Sequence, residues 1–388
     1  MKPLYATGFT LASALGRGTA PAFDALRHDR SGLRRNDFLG SALDTWIGRV
    51  DGLQDDSPVS RMRQITQAGL EADGFAAAAS RACDAYGPDR IGTFIGTSSS
   101  GMLQGELAYR KRQPASGALP IGLSFGDSFD MSSPAAYVRA RLGLEGPAYV
   151  VSTACSSGAK VFAAAYRAIT AGLCDAAVVG GVETLCFTTL HGFASLELLS
   201  REPCRPCDAD RSGISLGEGA AFVLLERQDV SGDGLALLGY GESADAYHMS
   251  TPHPEGLGAA RAMRAALECA GIAANDVDYI NLHGTGTRNN DAAEDTAVYS
   301  VFGKRVACSG TKGWTGHALG AAGAIEAVLT LLCLRHGLAP GTLNTRRIDA
   351  SIKLNVLLKS RDMRLRYALS NSFGFGGSNC SLLFGRMP

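Results

Sequence analysis

The feature that most constrains the fold of this chain is the alternation of short apolar runs with alanine-rich segments of helix length. The apolar runs of strand length are residues 91–96, 148–152, 176–179, 219–225, 279–282 and 380–384. The helix-length segments are residues 60–81, 157–171, 258–270, 292–302 and 318–335. Strands that alternate with helices predict an α/β protein whose sheets are largely parallel and are covered by helices.

The length of the chain allows one large domain or two intimately packed ones, because 388 residues can bury an extensive core. Forty-eight glycines with only 19% charged residues favour tight turns and close packing over disorder. The S-G-D-G segment at 231–234 is the best candidate for a division. We therefore expect two βα-rich halves, residues 1–233 and 234–388.

The charge and cysteine content exclude several function classes. The chain has 37 basic and 37 acidic residues, which argues against a general nucleic-acid-binding protein. No signal peptide and no membrane span is recognisable, and the ten cysteines lack framework spacing, so we expect a reduced, cytoplasmic protein. Cys204 and Cys207 form a C-x-x-C pair without a second pair nearby, and we therefore expect no metal site.

Cys155 is the candidate nucleophile. It lies in AYVVSTACSSGAK, where a predicted strand leads through a tight turn into an alanine-rich helix. The positive end of the helix dipole and its free N–H groups favour the thiolate, and the same N–H groups can stabilise an oxyanion. This segment alone fits a small buried hydrophobic cysteine equally well.

His283 opens the segment HGTGT directly after a predicted strand, which is where α/β proteins present reactive side chains. Thr285 and Thr287 supply hydroxyls that can hydrogen-bond a substrate arm containing amides. Asp291 and Glu294 follow, and we expect them to anchor the loop or to start its helix.

His317 and Lys312 lie in TKGWTGHALGAAGAIE. Because His317 begins a predicted helix, its pKa is expected to fall, which favours a neutral imidazole that can donate a hydrogen bond to an enolate. Glu326 stands on the same helix, which is otherwise apolar all round. A buried carboxylate needs a partner, and Lys312 is the obvious one. A purely structural ion pair is the alternative.

A glycine- and phenylalanine-rich run, NSFGFGGSN, covers residues 371–379. Its glycines suit a strained loop that needs positive φ angles, and they are Gly374, Gly376 and Gly377. Phe373 and Phe375 either gate a cavity or pack in the core. A backbone N–H of this run can complete an oxyanion hole with that of Cys155.

Taken together, these segments resemble the β-ketoacyl-acyl carrier protein synthases of the type with one Cys and two His. The resemblance covers nearly the whole length. Its motifs are specific in combination, and they are STACSSGAK, RPCDADRSGISLGEGAAFVLLE, SADAYHMSTPHPEG, NLHGTGTRNND, TKGWTGHALGAAGAIE and NSFGFGGSN. It implies a thiolase-type fold, five-layered αβαβα with two pseudo-symmetric halves, and a dimer.

The resemblance also implies roles for the site residues. Cys155 would carry the acyl chain, and His283 and His317 would bind the malonyl thioester carbonyl. Lys312 would support the second histidine and be linked to Glu326.

The remaining roles that the resemblance implies concern the substrate arm and the entrance. Thr285, Thr287 and Gly376 would bind the substrate, whose arm is phosphopantetheine. Phe375 would gate the pocket with support from Phe373, and its N–H would join the oxyanion hole.

The chain departs from the family pattern in places. Arg288, Asn289 and Asn290 follow HGTGT where proline is usual, and Cys207 replaces the usual aromatic residue. The GTSSSG run at 96–101 is similar to that of aryl-polyene synthases. These differences concern the choice of substrate rather than the chemistry.

The function implied is a decarboxylative Claisen condensation of a cysteine-bound acyl group with malonyl-acyl carrier protein, without a metal or an organic cofactor. The expected partners are acyl- and malonyl-loaded carrier protein, together with a second copy of this chain or a chain-length-factor-like homologue. The carrier protein is acidic, so we expect basic residues at the entrance, with Arg61, Arg63 and Arg201 as candidates. Residues 124–141 are expected at the dimer interface.

Three other functions compete with condensation. A non-catalytic chain-length-factor subunit would lack the nucleophile, and Cys155 with two histidines argues against it. A thiolase would need a second catalytic cysteine near the C-terminus, where Cys380 is expected to lie in the core. A malonyl decarboxylase without condensation would lack Cys155.

Overall fold

The structure is a computed structural model that describes residues 1–387, except residues 56, 58 and 122 and the side chains of residues 127 and 128. Its strands are β1 Leu4–Ser13, β2 Gly16–Arg17, β3 Leu33–Arg35, β4 Trp46–Gly48, β5 Ile91–Gly96, β6 Ala148–Val151, β7 Ala176–Glu183, β8 Leu216–Gly217, β9 Gly219–Glu226, β10 Leu235–Ala244, β11 Tyr279–Leu282, β12 Ala307–Gly310, β13 Leu338–Ala339, β14 Asn355–Val356, β15 Arg361–Asp362, β16 Tyr367–Gly374 and β17 Ser378–Arg386.

Helices connect most of these strands. They are α1 Thr19–Arg27, α2 Arg61–Leu70, α3 Phe75–Tyr86, α4 Met102–Arg110, α5 Phe125–Ser128, α6 Ser133–Arg141, α7 Ser157–Thr170, α8 Phe187–Ser195, α9 Leu257–Ala270, α10 Arg288–Phe302, α11 Lys312–Thr315 and α12 Leu319–His336. Short 3₁₀ turns cover Pro88–Arg90, Ala274–Asp276 and Phe375–Gly377.

The predicted elements are confirmed with one clear error. The expectation of largely parallel sheets is also wrong, because the main sheet pairs its strands in both directions. The apolar runs 91–96 and 279–282 coincide with β5 and β11. The single helix predicted over 60–81 is wrong, because the chain forms α2 and α3 with a break between them. Asp73 and Gly74 adopt left-handed backbone conformations, with φ of 54° and 69°, and this interrupts the helix before α3 begins.

The strands form two sets with the same internal order. The first set runs β6-β5-β7-β9-β1, and the second runs β12-β11-β16-β17-β10 with β14 added at its edge. In both sets the three outer strands are parallel and the last two pairings are antiparallel. The repeat of order and direction gives the two related halves of the expected fold. The boundary at residue 233 falls in the loop between β9 and β10, and a division into domains there stays a prediction.

Helices and strand sets alternate in five layers. The outer helices α2, α3 and α6 cover the first set, and α9 and α10 cover the second. The helices α7 and α12 lie between the two sets. The length and apolarity of α12 would suit a membrane span, but 89% of it is buried inside the protein, which identifies it as a core helix.

Glycines allow the two central helices to approach closely. A side chain at Gly158 of α7 would lie 2.8 Å from the carbonyl oxygen of Gly320 in α12. A side chain at Gly323 of α12 would lie 2.7 Å from the backbone nitrogen of Ala159. Neither position has room for a Cβ atom. Glycine at both positions therefore allows the first turns of α7 and α12 to lie side by side. Cys155 precedes one of these turns and His317 precedes the other.

Candidate active site

Cys155 occupies the predicted turn between β6 and α7. Ala154 has a left-handed conformation, with φ of 53°, which makes the turn abrupt. Hydrogen bonds of two serine hydroxyls hold this turn. Ser156 Oγ donates to Thr153 O at 2.8 Å, and Ser157 Oγ donates to Ala154 O at 2.6 Å. Ser157 Oγ also accepts the N–H of Thr153 at 2.8 Å. The thiol therefore faces the interior cavity on a rigid support.

The thiol of Cys155 is strongly perturbed. Burial raises its pKa to about 12, while the charge of Lys312 and the backbone N–H of Phe375 act in the opposite direction. The expected stabilisation of the thiolate is wrong for the resting protein, because desolvation outweighs the favourable groups. A nucleophile in this state needs a base, and His317 Nε2 lies 3.0 Å from Sγ.

His283 stands at the end of β11 with its ring orientation fixed by Lys312. The Lys312 ammonium donates to His283 Nδ1 at 3.1 Å. An ammonium cannot accept a hydrogen bond, so Nδ1 is the acceptor and the ring proton resides on Nε2. Burial, followed by the charge of Lys312, lowers the pKa of His283 well below 6.5. The ring is thus a neutral hydrogen-bond donor.

His317 is also neutral, because burial and the Lys312 charge lower its pKa well below 6.5. The expected direction is confirmed, although the dominant cause is burial. Its Nδ1 has no hydrogen-bond partner among the described residues. The protein therefore fixes the tautomer of His283 and leaves that of His317 free, so that Nε2 of His317 can accept a proton and later donate one. The two rings lie 5.3 Å apart between centroids, in an edge-on arrangement.

Lys312 uses all three of its N–H groups. Besides His283 Nδ1, it donates to the backbone oxygen of His283 and to Glu326 Oε1, each at 2.5 Å. The predicted pairing with Glu326 is confirmed, and burial raises the pKa of that carboxyl to about 7. The expected support of the second histidine is corrected, because Lys312 contacts the first one, His283. The topology places β12 beside β11, so the lysine that follows β12 reaches the histidine that follows β11.

The loop that carries His283 is anchored by the acidic residues that the sequence singled out for this role. Glu294 accepts the backbone N–H groups of His283 and Gly284, each at 2.8 Å. Asp291 accepts those of Cys207 and Gly286. The backbone of the loop is thus tied to the first turns of α10 and cannot move away from the cavity without losing these bonds.

Sequence reasoning missed Glu183, the last residue of β7. Its buried carboxylate accepts the N–H groups of Ser98 at 2.7 Å, Ser99 at 2.9 Å and Gly320 at 2.8 Å. It joins the loop after β5 to the first turn of α12, close to His317. The available signal was a carboxylate ending the wholly apolar run AAVVGGVE, which is the same signal that identified Glu326.

Cys155, His283 and His317 line one cavity of about 350 Å³. Thr285 and Thr287 line it too, and their hydroxyls lie 2.9 Å apart. Phe375 is partly exposed at the wall and packs against Phe193, with 5.7 Å between ring centroids. Phe373 is buried, 5.9 Å from the His283 ring.

Two of the three glycines of the Gly-Phe turn have the expected positive φ, 81° at Gly376 and 73° at Gly377. Gly374 is extended instead, and a side chain there would lie 3.2 Å from the backbone nitrogen of Cys155, so close approach explains this glycine. Gly376 does not line the cavity, which corrects its expected contact with substrate. Its N–H donates instead to Met249 O at 2.7 Å.

The expected carrier-protein arginines lie in different environments. Arg61 is wrong as a docking residue, because it is 5% exposed and forms a buried ion pair with Glu218. Arg63 packs over the ring of Tyr137 and lines a second cavity of about 400 Å³. Arg201 is exposed to solvent.

The thiol of Cys155 and the rings of His283 and His317 are close enough to ligate a metal ion, with their ligand atoms within 4.8 Å of one another. The surroundings oppose this. Metal binding at His283 Nε2 would place the ring proton on Nδ1, opposite the Lys312 ammonium, so that two donors would face each other.

The C-x-x-C pair lies apart from these three ligand atoms. Cys204 and Cys207 are both buried, and Cys204 donates to Thr285 O at 3.3 Å.

Comparisons with known proteins agree with this geometry. The family model for the β-ketoacyl synthase N-terminal domain matches residues 16–231, and that for the C-terminal domain matches residues 236–346. A mitochondrial 3-oxoacyl-[acyl-carrier-protein] synthase of Arabidopsis thaliana is 40% identical over 268 residues, or 64% of this chain and 58% of the relative. Synthase 2 of Rhizobium meliloti is 42% identical over 269 residues, which are 65% of this chain and 64% of the relative. The matched part thus spans less than two thirds of either relative.

Solved structures are similar over the whole chain. The ketosynthase ApeO in complex with its chain length factor ApeC, from Xenorhabdus doucetiae, has 36% identity and a TM-score of 0.90, covering 100% of this chain and 98% of that one. A β-ketoacyl synthase from Burkholderia phymatum has 30% identity and a TM-score of 0.86, with both chains fully covered. Together with the strand order, these likenesses establish a thiolase-type fold.

Proposed function

Because this chain belongs to the β-ketoacyl synthase family, we propose that it is a β-ketoacyl-acyl carrier protein synthase that condenses an acyl group with malonyl-acyl carrier protein. The observation that carries this proposal is the 3.0 Å contact between Cys155 Sγ and His317 Nε2. It pairs a nucleophile with a base beside a second imidazole that is fixed as a donor.

The first stage transfers the acyl group to Cys155. His317 Nε2 takes the thiol proton, and the sulfur attacks the carbonyl carbon of the acyl thioester. Backbone N–H groups of Cys155 and Phe375 stabilise the oxyanion. The carbon–sulfur bond to the phosphopantetheine arm then breaks, and the departing thiolate takes the proton from His317.

The second stage forms the carbon–carbon bond. Before this stage the ring proton of His317 exchanges from Nδ1 to Nε2 through solvent, because its Nδ1 has no hydrogen-bond partner among the described residues. Nε2–H of His283 and Nε2–H of His317 then donate to the thioester oxygen of the malonyl group, which stabilises the enolate formed when the bond to the carboxylate breaks and carbon dioxide leaves. The enolate carbon attacks the acyl-cysteine carbonyl. Cys155 departs as a thiolate and regains a proton from solvent.

The reaction as written needs no metal and no organic cofactor. The groups that it uses are a thiol, two neutral imidazoles and backbone N–H groups. The substrates bring their own phosphopantetheine, whose amides can bond to the hydroxyls of Thr285 and Thr287 along the cavity wall.

Acyl carrier protein is the proposed donor of both substrates. ApeO and its chain length factor form a complex, and the solved structure of AntDE and AntF is that of a type II acyl carrier protein with its ketosynthase. The exposed Arg201 follows two residues of the cavity wall, Glu197 and Leu198, and remains a candidate contact for the acidic carrier. Reversing its charge should weaken carrier binding several-fold and spare turnover of small thioesters.

A second subunit is proposed at the free edge of the first strand set. β6 ends the described sheet, and Tyr149 on it is 43% exposed. Residues 109–131 contribute several exposed apolar side chains, which include Tyr109, Ile121, Phe125, Phe129 and Met131. A free edge strand and a cluster of exposed apolar side chains are each typical of a subunit interface. Native mass spectrometry of the chain produced alone distinguishes a homodimer from a subunit that requires a chain-length-factor-like partner.

The proposed role is in fatty acid or polyene and polyketide-type biosynthesis, in the cytoplasm. Starter preference separates the pathways. Preferential turnover of unsaturated or aromatic starters supports the aryl-polyene branch, and equal or better turnover of saturated medium chains supports fatty acid synthesis.

Acyl transfer gives the direct test of the proposed function. After incubation with acyl-loaded carrier protein, intact mass should show one acyl adduct, and Cys155→Ala should abolish it. An adduct that survives Cys155→Ala, or no adduct on the unaltered protein, refutes the proposal. Cys380→Ala provides the matched control, because that thiol is fully buried in β17 and should leave the adduct unchanged.

A further inference from the structure

Arg288 is the residue of the cavity wall that the proposed chemistry leaves unexplained. It is exposed, it is the first residue of α10, and it lines the same cavity as Cys155. Within the described residues, its guanidinium has no hydrogen-bond or ion-pair partner. The other arginine that lines the cavity, Arg211, is buried and paired with Asp291 and Asp349.

Stability does not account for Arg288. A cation in the first turn of a helix faces the positive end of the helix dipole, which is unfavourable. The carboxylate of that turn, Asp291, is buried and already engaged by backbone N–H groups and by Arg211. Although Glu197 and Asp245 line the same cavity, no carboxylate among the described residues forms an ion pair with Arg288.

The side chains of this segment follow the chemistry of a phosphopantetheine arm in order. His283 is 2% exposed and Thr285 is 7% exposed, Thr287 is half-buried, and Arg288 is exposed. A bound arm presents its thioester at the deep end, its amides next and its phosphodiester outermost. The imidazole can thus bind the thioester, the hydroxyls can bind the amides, and the guanidinium can bind the phosphodiester.

We infer that Arg288 binds the phosphate of the phosphopantetheine arm and thereby selects thioesters that carry this phosphate. This rests on the proposed condensing function and adds a subsite to it. An acidic side chain of the carrier protein is the competing ligand for the same guanidinium, and the substrates chosen for the test distinguish the two.

The test compares three malonyl donors, which are malonyl-pantetheine, malonyl-phosphopantetheine and malonyl-acyl carrier protein. For Arg288→Gln, the ratio of the KM for malonyl-phosphopantetheine to that for malonyl-pantetheine should rise about 10-fold relative to the unaltered protein. The KM for malonyl-acyl carrier protein should rise by a similar factor. Arg305→Gln is the matched control, because Arg305 is an exposed arginine just beyond the other end of α10.

Each result has a definite reading. An unchanged ratio with a raised KM for the carrier protein alone would assign Arg288 to the protein surface and overturn the phosphate subsite. An equal rise for all three donors would also overturn it, as would no change. Thermal unfolding of Arg288→Gln should match that of the unaltered protein, which separates a binding effect from damage to α10. If none of the donors is turned over by the unaltered protein, the condensing function itself fails and this inference fails with it.

Discussion

The two strand sets share one order and yet supply different halves of the chemistry. In the first set, β6 is the third strand in chain order. It leads through residues 152–156 into α7 and presents Cys155. In the second set, the corresponding strand, β12, leads through residues 311–318 into α12 and presents Lys312 and His317. The longer second connection makes room for the one-turn helix α11. Equivalent positions therefore carry the nucleophile in one half and its base in the other.

The loops that follow the second strand of each set in chain order, β5 and β11, differ in a similar way. The loop after β5 and the loop after β11 are each held by a buried carboxylate, Glu183 in the first and Glu294 in the second. The first loop offers hydroxyls and the second offers His283. Anchoring by a carboxylate is thus common to both halves, whereas the imidazole belongs to one. Under the proposed function, acyl attachment therefore belongs to the first half and carbonyl binding to the second.

The strongest test of this division is Cys155→Gln. Condensation should fall by about 1,000-fold or more, because no acyl-enzyme forms, while malonyl decarboxylation persists since both histidines remain. Release of carbon dioxide and formation of β-ketoacyl product are measured in parallel. Loss of both activities would contradict the assignment of decarboxylation to the second half.

Replacing the histidines one at a time separates their roles. His283→Ala should lower decarboxylation about 100-fold and leave formation of the acyl adduct nearly intact, because His283 is a fixed donor. His317→Ala should slow both steps, because its Nε2 is also the base for Cys155. Single-turnover mass spectrometry follows the adduct. Identical effects of the two variants on both steps would remove the distinction.

The charge of Lys312 links the halves, because it lowers the pKa of Cys155 and orients His283. Lys312→Met should slow alkylation of Cys155 by iodoacetamide about 10-fold at fixed pH and also reduce decarboxylation. Circular dichroism must show an intact fold, since Glu326 would lose its partner. Faster alkylation in the variant would contradict the electrostatic role.

The pH dependence of thiol reactivity gives the smallest and most specific test. With the pKa of Cys155 raised to about 12, the thiolate fraction grows as pH rises and remains small at neutral pH. Alkylation of Cys155 should therefore increase about 10-fold per pH unit from pH 7 to 9 without a plateau. A plateau below pH 8 would show that the helix end and Lys312 outweigh burial.

Much of the fold and the identity of the reacting groups follow from local sequence. β5 and β11 coincide with predicted apolar runs. Cys155, His283 and His317 each lie where a strand or a glycine-rich segment meets a helix. Local patterns of this kind persist whatever the rest of the chain does, because they depend on backbone preferences over a few residues.

Other properties were settled by tertiary structure alone. The contact of Lys312 with His283, the burial of Arg61 against Glu218 and the anchoring by Glu183 all depend on residues distant in the chain. The raised pKa of Cys155 has the same origin. Helix position favours its thiolate, but desolvation by the packed layers around it is larger, and only the folded protein determines how much water each group loses.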